Sequence, residues 1–296
     1  MKLIPPLPVR DGVSPSFVWL PPGSWVTLGD FFAHRFPAVA KSEWLARSSR
    51  AEVRDERGTT LSLESPYRVG ACVFYYRELI DETPIPFEEV ILFQNEQILV
   101  VDKPHFLPVT PGGRFLHESL LVRLKRSTGI ETLVPIHRLD RETAGVILFS
   151  IDPATRNTWQ SLFRDRAINK VYEAVAGINE SLNFPLTLRS RIVQDERFFR
   201  MREEAGEPNA ETTISLLRLE DKHALYKLQP VTGKMHQLRV HMNSIGLPIL
   251  NDGFYPDALA CKGDDFSAPL KLLARSLSFD DPVTGESRYF ESRFQL

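Results

Sequence analysis

The 296-residue sequence predicts an α+β fold, because strand-like and helix-like patterns follow one another along the chain without an internal repeat. Residues 146–151 form a short apolar run typical of a buried strand. Residues 170–177 alternate in the manner of a strand that buries one face. Residues 234–245 instead place apolar side chains at helical spacing, with Thr232 and Gly246 as candidate ends. A sheet with a helix packed against it is therefore expected.

The first 22 residues are predicted to form an extended arm, since prolines interrupt them repeatedly. These prolines include Pro5, Pro6, Pro8, Pro21 and Pro22. The segment has neither the cationic start and long apolar core of a signal peptide nor a membrane-spanning stretch, so a cytoplasmic protein is expected. Two cysteines, Cys72 and Cys261, fit a reducing compartment and argue against a disulfide scaffold.

Residues 23–80 are predicted to form a small α/β domain, with a helix near residues 42–50 and short strands that end at residues 69–76. This order resembles a divergent alpha-L RNA-binding module, which implies contact with RNA. The basic side chains of the domain are interspersed with acids, so a structural or protein-contact domain is the alternative. The basic residues are Arg35, Lys41, Arg47, Arg50, Arg54 and Arg57, and the acids are Glu43, Glu52, Asp55 and Glu56. Residues 81–87 contain two prolines and are predicted to be a stiff linker to a larger domain at residues 88–296.

Residues 136–145 form a tight charged turn that leads directly into the strand predicted at residues 146–151. Asp140 lies between Arg138 and Arg141, and nearby guanidinium groups favour the ionised form of a carboxylate. An ionised carboxylate at the edge of a rigid sheet suits a nucleophile. A solvated salt bridge in a loop is the alternative that this triplet leaves open. His137 is predicted to support the turn.

Two phosphotransfer motifs are disfavoured by the spacing. The charged turn differs from a protein-kinase catalytic loop, because a leucine separates Arg138 from Asp140 and no asparagine follows at the required position. Gly233 and Lys234 lack the earlier glycine of a phosphate-binding loop, since position 228 is leucine.

The charged turn, with the Thr-Ala-Gly that follows it, resembles the His-Arg-Leu-Asp motif of the RluA-type pseudouridine synthases. Other stretches resemble the same family in the order that it requires, and together they span residues 88–290. They are residues 100–104, 170–177, 233–241, 248–252 and 281–286. The resemblance implies a catalytic domain with a mixed, largely antiparallel sheet flanked by helices and loops. It also implies an isomerase that converts uridine in RNA to pseudouridine.

The resemblance assigns catalytic roles to Asp140, Tyr172 and Arg239. Asp140 would start the reaction, and Arg239 would pair with it, because a guanidinium can hold both carboxylate oxygens in one plane. Tyr172 shares its strand face with Ala174 and Ala176, so its ring has room to stack on a base. A tyrosine buried in the core is the alternative.

The resemblance also implies a set of substrate-binding residues. Arg138 would fill the gap left by a flipped uridine, and an anchor for the charged turn is its alternative role. The other residues assigned to substrate binding are Arg141, Lys170, Lys234, His236 and Gln237. No cofactor and no metal are implied. A zinc site made of His236, His241 and Cys261 is not expected, because the histidines are five residues apart and no second cysteine lies near Cys261.

The net charge of −2 and the sequence pI of about 6.4 are unusual for a protein that binds nucleic acid, so a basic groove on an otherwise acidic surface is expected. Its side chains would be Arg138, Arg141, Arg164, Arg166, Lys170, Arg189, Arg191, Lys234 and Arg239. RNA is the expected partner, with large-subunit ribosomal RNA favoured over transfer RNA and no obligate protein partner implied. The alternative function is a non-catalytic RNA-binding or RNA-chaperone protein with the same fold, against which the intact Asp140, Tyr172 and Arg239 count.

Overall fold

The described residues fall into two compact units. A computed structural model describes residues 4–79, 81–196, 199–258 and 265–296, so Cys261 lies outside the described residues. The first unit comprises Met1–Glu82, Gly113–His117 and Val122–Glu131, and the second comprises Thr83–Gly112, Glu118–Leu121 and Thr132–Leu296. Two short segments of the predicted larger domain therefore belong to the first unit.

The first unit contains a three-stranded antiparallel sheet and two helices. Its strands are β1 (Ser16–Trp19), β2 (Val53–Asp55) and β3 (Cys72–Tyr75), with β3 in the centre, and its helices are α1 (Leu28–Arg35) and α2 (Lys41–Ser49). Thr27 caps α1, because its hydroxyl accepts from the Asp30 N–H at 3.2 Å while the Asp30 carboxylate accepts from the Thr27 N–H at 2.9 Å. Helices and sheet share one apolar cluster around Phe32 and Trp44, whose rings stack at 4.1 Å. The helix predicted near residues 42–50 is confirmed as α2.

The N-terminal segment differs from the extended arm predicted over residues 1–22. Ser16–Trp19 pairs antiparallel with Cys72–Tyr75, and Leu7 and Val13 are buried. The prolines permit this because they flank β1 and do not interrupt it. The later part of the predicted arm is thus a strand of the first unit.

Acids in the first unit pair with several of its basic side chains. The Arg47 guanidinium is buried and lies 3.7 Å from the Glu78 carboxylate. Arg50 pairs with Glu52 at 2.8 Å, and Arg10 donates to the same carboxylate. The interspersed charges noted in the sequence therefore form ion pairs, which reduces the positive charge left to attract RNA. Contact of this unit with RNA stays a prediction.

The second unit is built on one large mixed sheet. Its strands are β4 (Val90–Gln94), β5 (Ile98–Lys103), β6 (Val134–Pro135), β7 (Ala144–Ser150), β8 (Asn169–Ala176), β9 (Leu186–Gln194), β10 (Met201–Glu204), β11 (Ala210–Leu219), β12 (Ala224–Pro230), β13 (Leu272–Asp280) and β14 (Ser287–Glu291). Their order is β10-β9-β11-β12-β8-β13-β7-β5-β4, with β14 paired to β13 and β6 paired to β7. Among the described strands, the pairing of β7 with β13 is parallel and the others are antiparallel. The remaining helices are α3 (Leu120–Thr128), which contributes residues to both units, α4 (Arg156–Arg164) and α5 (Gln237–Ser244). The predicted α+β fold with a mixed, largely antiparallel sheet is confirmed.

The parallel pairing of β7 with β13 depends on a glycine at the start of β7. Gly145 has a φ of +114°, and a Cβ at this position would lie 2.2 Å from the carbonyl oxygen of Ala274 on β13. Strand β7 is buried along its whole length, as predicted for the apolar run that follows the charged turn. The charged turn is therefore attached to a fixed junction of two buried strands.

Helix α5 is shorter than the helix predicted over residues 234–245, because the preceding residues form a turn. The Gln237 side-chain oxygen accepts hydrogen bonds from the Thr232 hydroxyl at 2.7 Å and from the Lys234 N–H at 3.0 Å. These bonds hold residues 232–236 outside the helix, so Thr232 is not its N-cap. The predicted glycine at the other end is correct, since Gly246 follows the helix with a φ of +75°.

Candidate active site

Four segments of the second unit provide most of the lining of a pocket of about 730 Å³. They are the charged turn before β7, the end of α4 with the residues that follow it, the first half of β8, and the turn that leads into α5. Ligand pockets commonly have volumes of about 300–1,000 Å³, so this pocket can hold a small organic group. The predicted site residues that line it are Arg138, Asp140, Lys170, Tyr172, Lys234, His236, Gln237 and Arg239. Arg141 is the predicted site residue that does not line it.

Asp140 lies in the charged turn, and its side chain is one quarter exposed, at 25%. The turn is closed by a hydrogen bond from the Thr143 N–H to the Asp140 carbonyl at 3.1 Å. The Arg239 guanidinium donates to the carboxylate, with 3.2 Å between Nη1 and Oδ2. His236 Nε2 lies 3.8 Å from the same oxygen. The carboxylate therefore faces the pocket from a fixed position beside one guanidinium.

Arg239 is almost completely buried, at 2% exposure, and is held by a second carboxylate. Its Nε and Nη2 donate to Asp252 at 2.8 Å and 2.6 Å, and the rings of Phe254 and Tyr255 lie over the guanidinium. Burial lowers the pKa of Arg239, but the hydrogen bonds and charges of Asp252 and Asp140 outweigh it and raise the pKa above its ordinary value. A permanent cation is thus locked between two carboxylates.

Tyr172 stands on β8 on the same side as two buried alanines. Ala174 and Ala176 belong to the apolar cluster against which Tyr172 packs, which agrees with the shared strand face seen in the sequence. Burial raises the pKa of the Tyr172 phenol, and the charge of Asp140 raises it further. The ring therefore faces the pocket as a neutral phenol, and the pocket has room for a planar group to stack on it.

Lys170 and Gln237 are both engaged with the turn that precedes α5. The Lys170 ammonium donates to the Thr232 carbonyl at 3.0 Å, and burial lowers its pKa to about 8. The Gln237 amide donates at 2.9 Å to both the Glu211 carbonyl and the Thr212 hydroxyl. Because its oxygen is also occupied, the Gln237 side chain holds the wall of the pocket.

Arg141 occupies a different place from the one that its sequence position indicates. Its guanidinium donates to the Phe106 carbonyl and to the Glu142 carboxylate, each at 3.0 Å. Successive side chains of the turn point in different directions, so the cation beside Asp140 comes from a distant helix instead. This finding corrects the expectation that the Arg141 guanidinium lies against the carboxylate.

Six of the nine basic side chains predicted to form a groove line the pocket, and Arg141, Arg189 and Arg191 do not. Arg189 pairs with Glu211 and Arg191 with Glu204 outside the pocket. Four exposed cations and two more deeply placed ones line the pocket itself. The exposed cations are Arg138, Arg164, Arg166 and Lys234, and the other two are Lys170 and Arg239.

Two residues with large effects on the site were not singled out from the sequence. Asp252 was noted only within a motif. Its carboxylate accepts hydrogen bonds from the N–H groups of Phe254 and Tyr255, and an aspartate that bonds the backbone a few residues ahead is typical of a turn. Lys103 is fully buried, and its ammonium donates to three carbonyls. Burial lowers the pKa of this ammonium to about 7. The three carbonyls belong to Pro104, Leu107 and Arg141, at 2.9, 2.8 and 3.1 Å. Lys103 thus braces the charged turn from below.

The role predicted for His137 agrees with its contacts. Its Nε2 accepts from the Leu148 N–H of β7 at 3.1 Å, and its ring stacks on Phe163 at 4.4 Å. Burial lowers the pKa of His137 to about 3, so the ring is neutral. A neutral ring bonded to the strand supports the turn.

The described part of the chain holds no group of three or more His, Cys, Asp or Glu side chains arranged for a metal ion. His241 is instead bonded to the hydroxyls of Thr212 and Ser190, at 2.9 Å and 3.0 Å. Across the same described residues, none of the helices combines the length and apolar character needed to span a membrane.

Comparison with known proteins identifies the family. Residues 97–244, half of the chain, match the family model described as RNA pseudouridylate synthase. The chain therefore belongs to the RNA pseudouridylate synthase family, and it is an isomerase that acts on uridines in RNA.

Individual relatives narrow the family to the RluA type. The chain is 28% identical over 229 residues to an uncharacterized RNA pseudouridine synthase of Synechocystis sp., with 76% of this chain and 78% of that protein covered. It is 32% identical over 206 residues to the dual-specificity RNA pseudouridine synthase RluA of Haemophilus influenzae, which covers 69% of this chain and 92% of that protein. The solved structure of human RNA pseudouridylate synthase domain containing 4 superposes with a TM-score of 0.53 at 29% identity, over 69% of this chain and 88% of that chain. The RluA-type resemblance of the sequence is confirmed, while the alpha-L likeness of residues 23–80 stays a prediction.

Proposed function

We propose that this enzyme isomerises specific uridines in structured RNA, with large-subunit ribosomal RNA as the favoured target, transfer RNA as the second candidate, and Asp140 as the reacting carboxylate. The observation that carries the proposal is the position of Asp140 in the pocket, 3.2 Å from a buried guanidinium. That guanidinium is fixed in turn by Asp252. The name of the Haemophilus influenzae relative, a dual-specificity enzyme, supports keeping two RNA targets in view.

The reaction needs a carboxylate and no redox partner. The bond from ribose carbon 1′ to ring nitrogen 1 breaks, a bond from carbon 1′ to ring carbon 5 forms, and the proton of carbon 5 is lost while nitrogen 1 gains one. Attack at ring carbon 6 and action at the ribose both begin with an ionised carboxylate, and Asp140 supplies it in either route. Arg239 holds that group in position through its hydrogen bond to Oδ2.

Tyr172 is proposed to stack on the detached uracil and to relay the proton lost from carbon 5, with its hydroxyl oxygen accepting that proton while its own O–H proton passes to solvent. The ring faces the pocket beside small side chains, and stacking of a base on an aromatic ring is worth about 1–3 kcal/mol. Stacking would hold the free base while it turns from one bond to the other. A neutral phenol suits this contact, because the electron pair of the broken bond stays on the uracil and a phenolate would repel it.

Arg138 is proposed to enter the gap left by the flipped uridine. Its side chain is exposed and lies two residues from Asp140 on the pocket wall. A flipped base leaves unstacked neighbours, and a planar guanidinium can stack on them and reach phosphate. The exposed Arg164, Arg166 and Lys234 would bind the flanking backbone.

A non-catalytic RNA-binding protein is the weaker alternative. Such a protein needs exposed cations, but it has no use for a buried ion pair between Arg239, Asp140 and Asp252. Burying charges costs several kcal/mol per ion, so this arrangement fits a site that must keep one carboxylate ready to react.

Tritium release from carbon-5-labelled uridine tests the proposal, with total RNA from a strain that lacks this chain as substrate. Wild type should release tritium, and Asp140→Ala and Asp140→Asn should release none while binding RNA nearly as well, since only the reacting group is lost. Asp221→Asn, on an exposed turn, is the matched control and should behave as wild type. Release by Asp140→Ala would refute the role of Asp140. RNA binding without release by wild type would favour the alternative.

A further inference from the structure

His236 is held in an unusual backbone conformation at the edge of the pocket. It precedes α5 with φ of +54° and ψ of +15°, a left-handed conformation that residues with a Cβ disfavour. Its side chain is only 7% exposed, although the residue lies in a turn at the surface of the pocket. Strained backbone of this kind persists where the surroundings enforce it, and it is concentrated at functional sites.

The hydrogen bonds of Tyr255 determine which nitrogen of His236 carries the proton. The Tyr255 hydroxyl accepts from the Met201 N–H and donates its single proton to the Met201 carbonyl, both at 2.9 Å. His236 Nδ1 lies 3.1 Å from the same hydroxyl. Since that hydroxyl has no second proton to give, Nδ1 must be the donor.

The other nitrogen of His236 is left as an acceptor that faces the reacting carboxylate. Burial lowers the pKa of His236, which keeps the ring neutral, so Nε2 carries a lone pair. Nε2 lies 3.8 Å from Asp140 Oδ2, and neither atom has a hydrogen for the other. Two acceptors side by side in a pocket call for a donor on the molecule that fills it.

We propose that His236 Nε2 accepts a hydrogen bond from the ribose 2′-hydroxyl of the uridine that is isomerised, which makes His236 a determinant of specificity for RNA over DNA. This inference rests on the proposed function of Asp140. In an RNA chain, uridine offers two donors, the 2′-hydroxyl and the ring nitrogen 3. The 2′-hydroxyl is attached to the carbon next to carbon 1′, whereas nitrogen 3 lies across the ring from carbon 6. An acceptor beside Asp140 therefore meets the hydroxyl by either route, and this hydroxyl is what distinguishes RNA from DNA.

The first test reads the tautomer in the free protein. Long-range ¹H–¹⁵N NMR of protein with labelled histidine should show His236 protonated at Nδ1 and unprotonated at Nε2, and Tyr255→Phe should remove this preference. A proton on Nε2 in wild type would overturn the proposal, because the nitrogen beside Asp140 would then be a donor.

The second test is a thermodynamic cycle of the double-mutant kind, in which the His236 side chain and the 2′-hydroxyl of the substrate are removed separately and together. Single-turnover rates are measured on the stem-loop mapped by tritium release, with uridine or 2′-deoxyuridine at the target position, for wild type, His236→Ala and His236→Gly. Glycine relieves the left-handed backbone, so it separates the lost contact from a folding defect. His223→Ala, on the β11–β12 turn, is the control.

We expect each single change to slow the reaction about tenfold, and the two together to slow it no more than either alone. Losses that multiply would show that His236 does not contact the hydroxyl. If wild type fails to isomerise even the uridine substrate, the proposed function itself fails, and that result is distinct from multiplying losses with an active wild type.

Discussion

The pocket has a floor of buried charged side chains and a rim of charged side chains that are exposed to solvent. On the floor, Arg239 is 2% exposed and is bonded to two carboxylates. On the rim, Arg138, Arg166 and Lys234 are exposed to solvent. A buried ion cannot lose its partner without a cost of several kcal/mol, whereas an exposed one is stabilised by water until a ligand arrives. The floor is therefore paired without any ligand, and we expect the exposed cations of the rim to be paired by RNA.

This division explains how a chain with a net charge of −2 can act on a polyanion. Many of its cations are neutralised by neighbouring acids, as in the pairs of Arg189 with Glu211 and Arg50 with Glu52. The exposed cations are concentrated around one pocket, where the local potential attracts phosphate even though the overall charge does not. Substitutions on the floor and on the rim should consequently fail in different ways.

After the loss of Asp140 itself, the largest effect is expected for Arg239→Lys on the floor. Lysine keeps the positive charge but cannot bond Asp252 through two nitrogens and Asp140 through a third. We expect turnover per folded molecule to fall about a hundredfold, because a small misplacement of the carboxylate is enough for such a loss. The free energy of unfolding should fall by about 2 kcal/mol through imperfect pairing of the buried charges. RNA affinity should change little. Tritium-release assays measure turnover, urea unfolding measures stability, and fluorescence anisotropy measures RNA affinity.

Arg275→Lys is the matched control for this substitution. Arg275 is also buried, and it donates to the Glu173 carboxylate and to the Ser292 and Phe294 carbonyls outside the pocket. It should lose a similar amount of stability and keep turnover per folded molecule within about twofold. Equal losses of turnover in the two variants would mean that the floor contributes only stability.

A smaller, substrate-dependent effect is expected for Arg138→Ala on the rim. The reaction should slow about thirtyfold on a uridine in a stem and about threefold on an unpaired oligonucleotide, because unpairing a base costs a few kcal/mol that a loop base avoids. Single-turnover rates on the two RNAs measure the ratio. Arg218→Ala, an exposed arginine paired with Glu220, should leave both rates unchanged. Equal slowing on both RNAs would assign Arg138 to anchoring the charged turn.

The sequence was most informative where function depends on a contiguous motif. The charged turn, the tyrosine strand and the segment before α5 place Asp140, Tyr172 and Arg239 in one pocket, because each lies at a fixed offset from a strand or helix. The buried strand β7 was predictable from its apolar run alone. The fold and the catalytic candidates could therefore be read before any distance was known.

Features that depend on long-range packing were not predictable in this way. Arg141 adjoins Asp140 in sequence, yet its guanidinium bonds Phe106 and Glu142, since neighbouring side chains of a turn diverge. The clamp of Asp252 on Arg239 joins residues that no periodicity links. The strand at Ser16–Trp19 could not be recognised locally, because prolines flank it and its pairing partner lies more than fifty residues away. In each case a tertiary contact decided what the local pattern left open.

The smallest expected effect is a pH dependence of RNA affinity that comes from Lys170, which lies between floor and rim. Burial lowers its pKa to about 8, so its positive charge is present at pH 7 and is lost as the pH rises through 8. If the ammonium binds phosphate, affinity should fall about fivefold between pH 7 and pH 9.

Lys170→Arg isolates this titration, because a guanidinium stays charged over the whole range. The ratio of variant to wild-type affinity, measured by fluorescence anisotropy on one RNA, should rise with pH with a midpoint near 8. Taking the ratio cancels the titration of the RNA and of other groups, including Lys103 with its pKa of about 7. A flat ratio would place Lys170 on the floor, where its bond to the Thr232 carbonyl holds the wall of the pocket and no phosphate is bound.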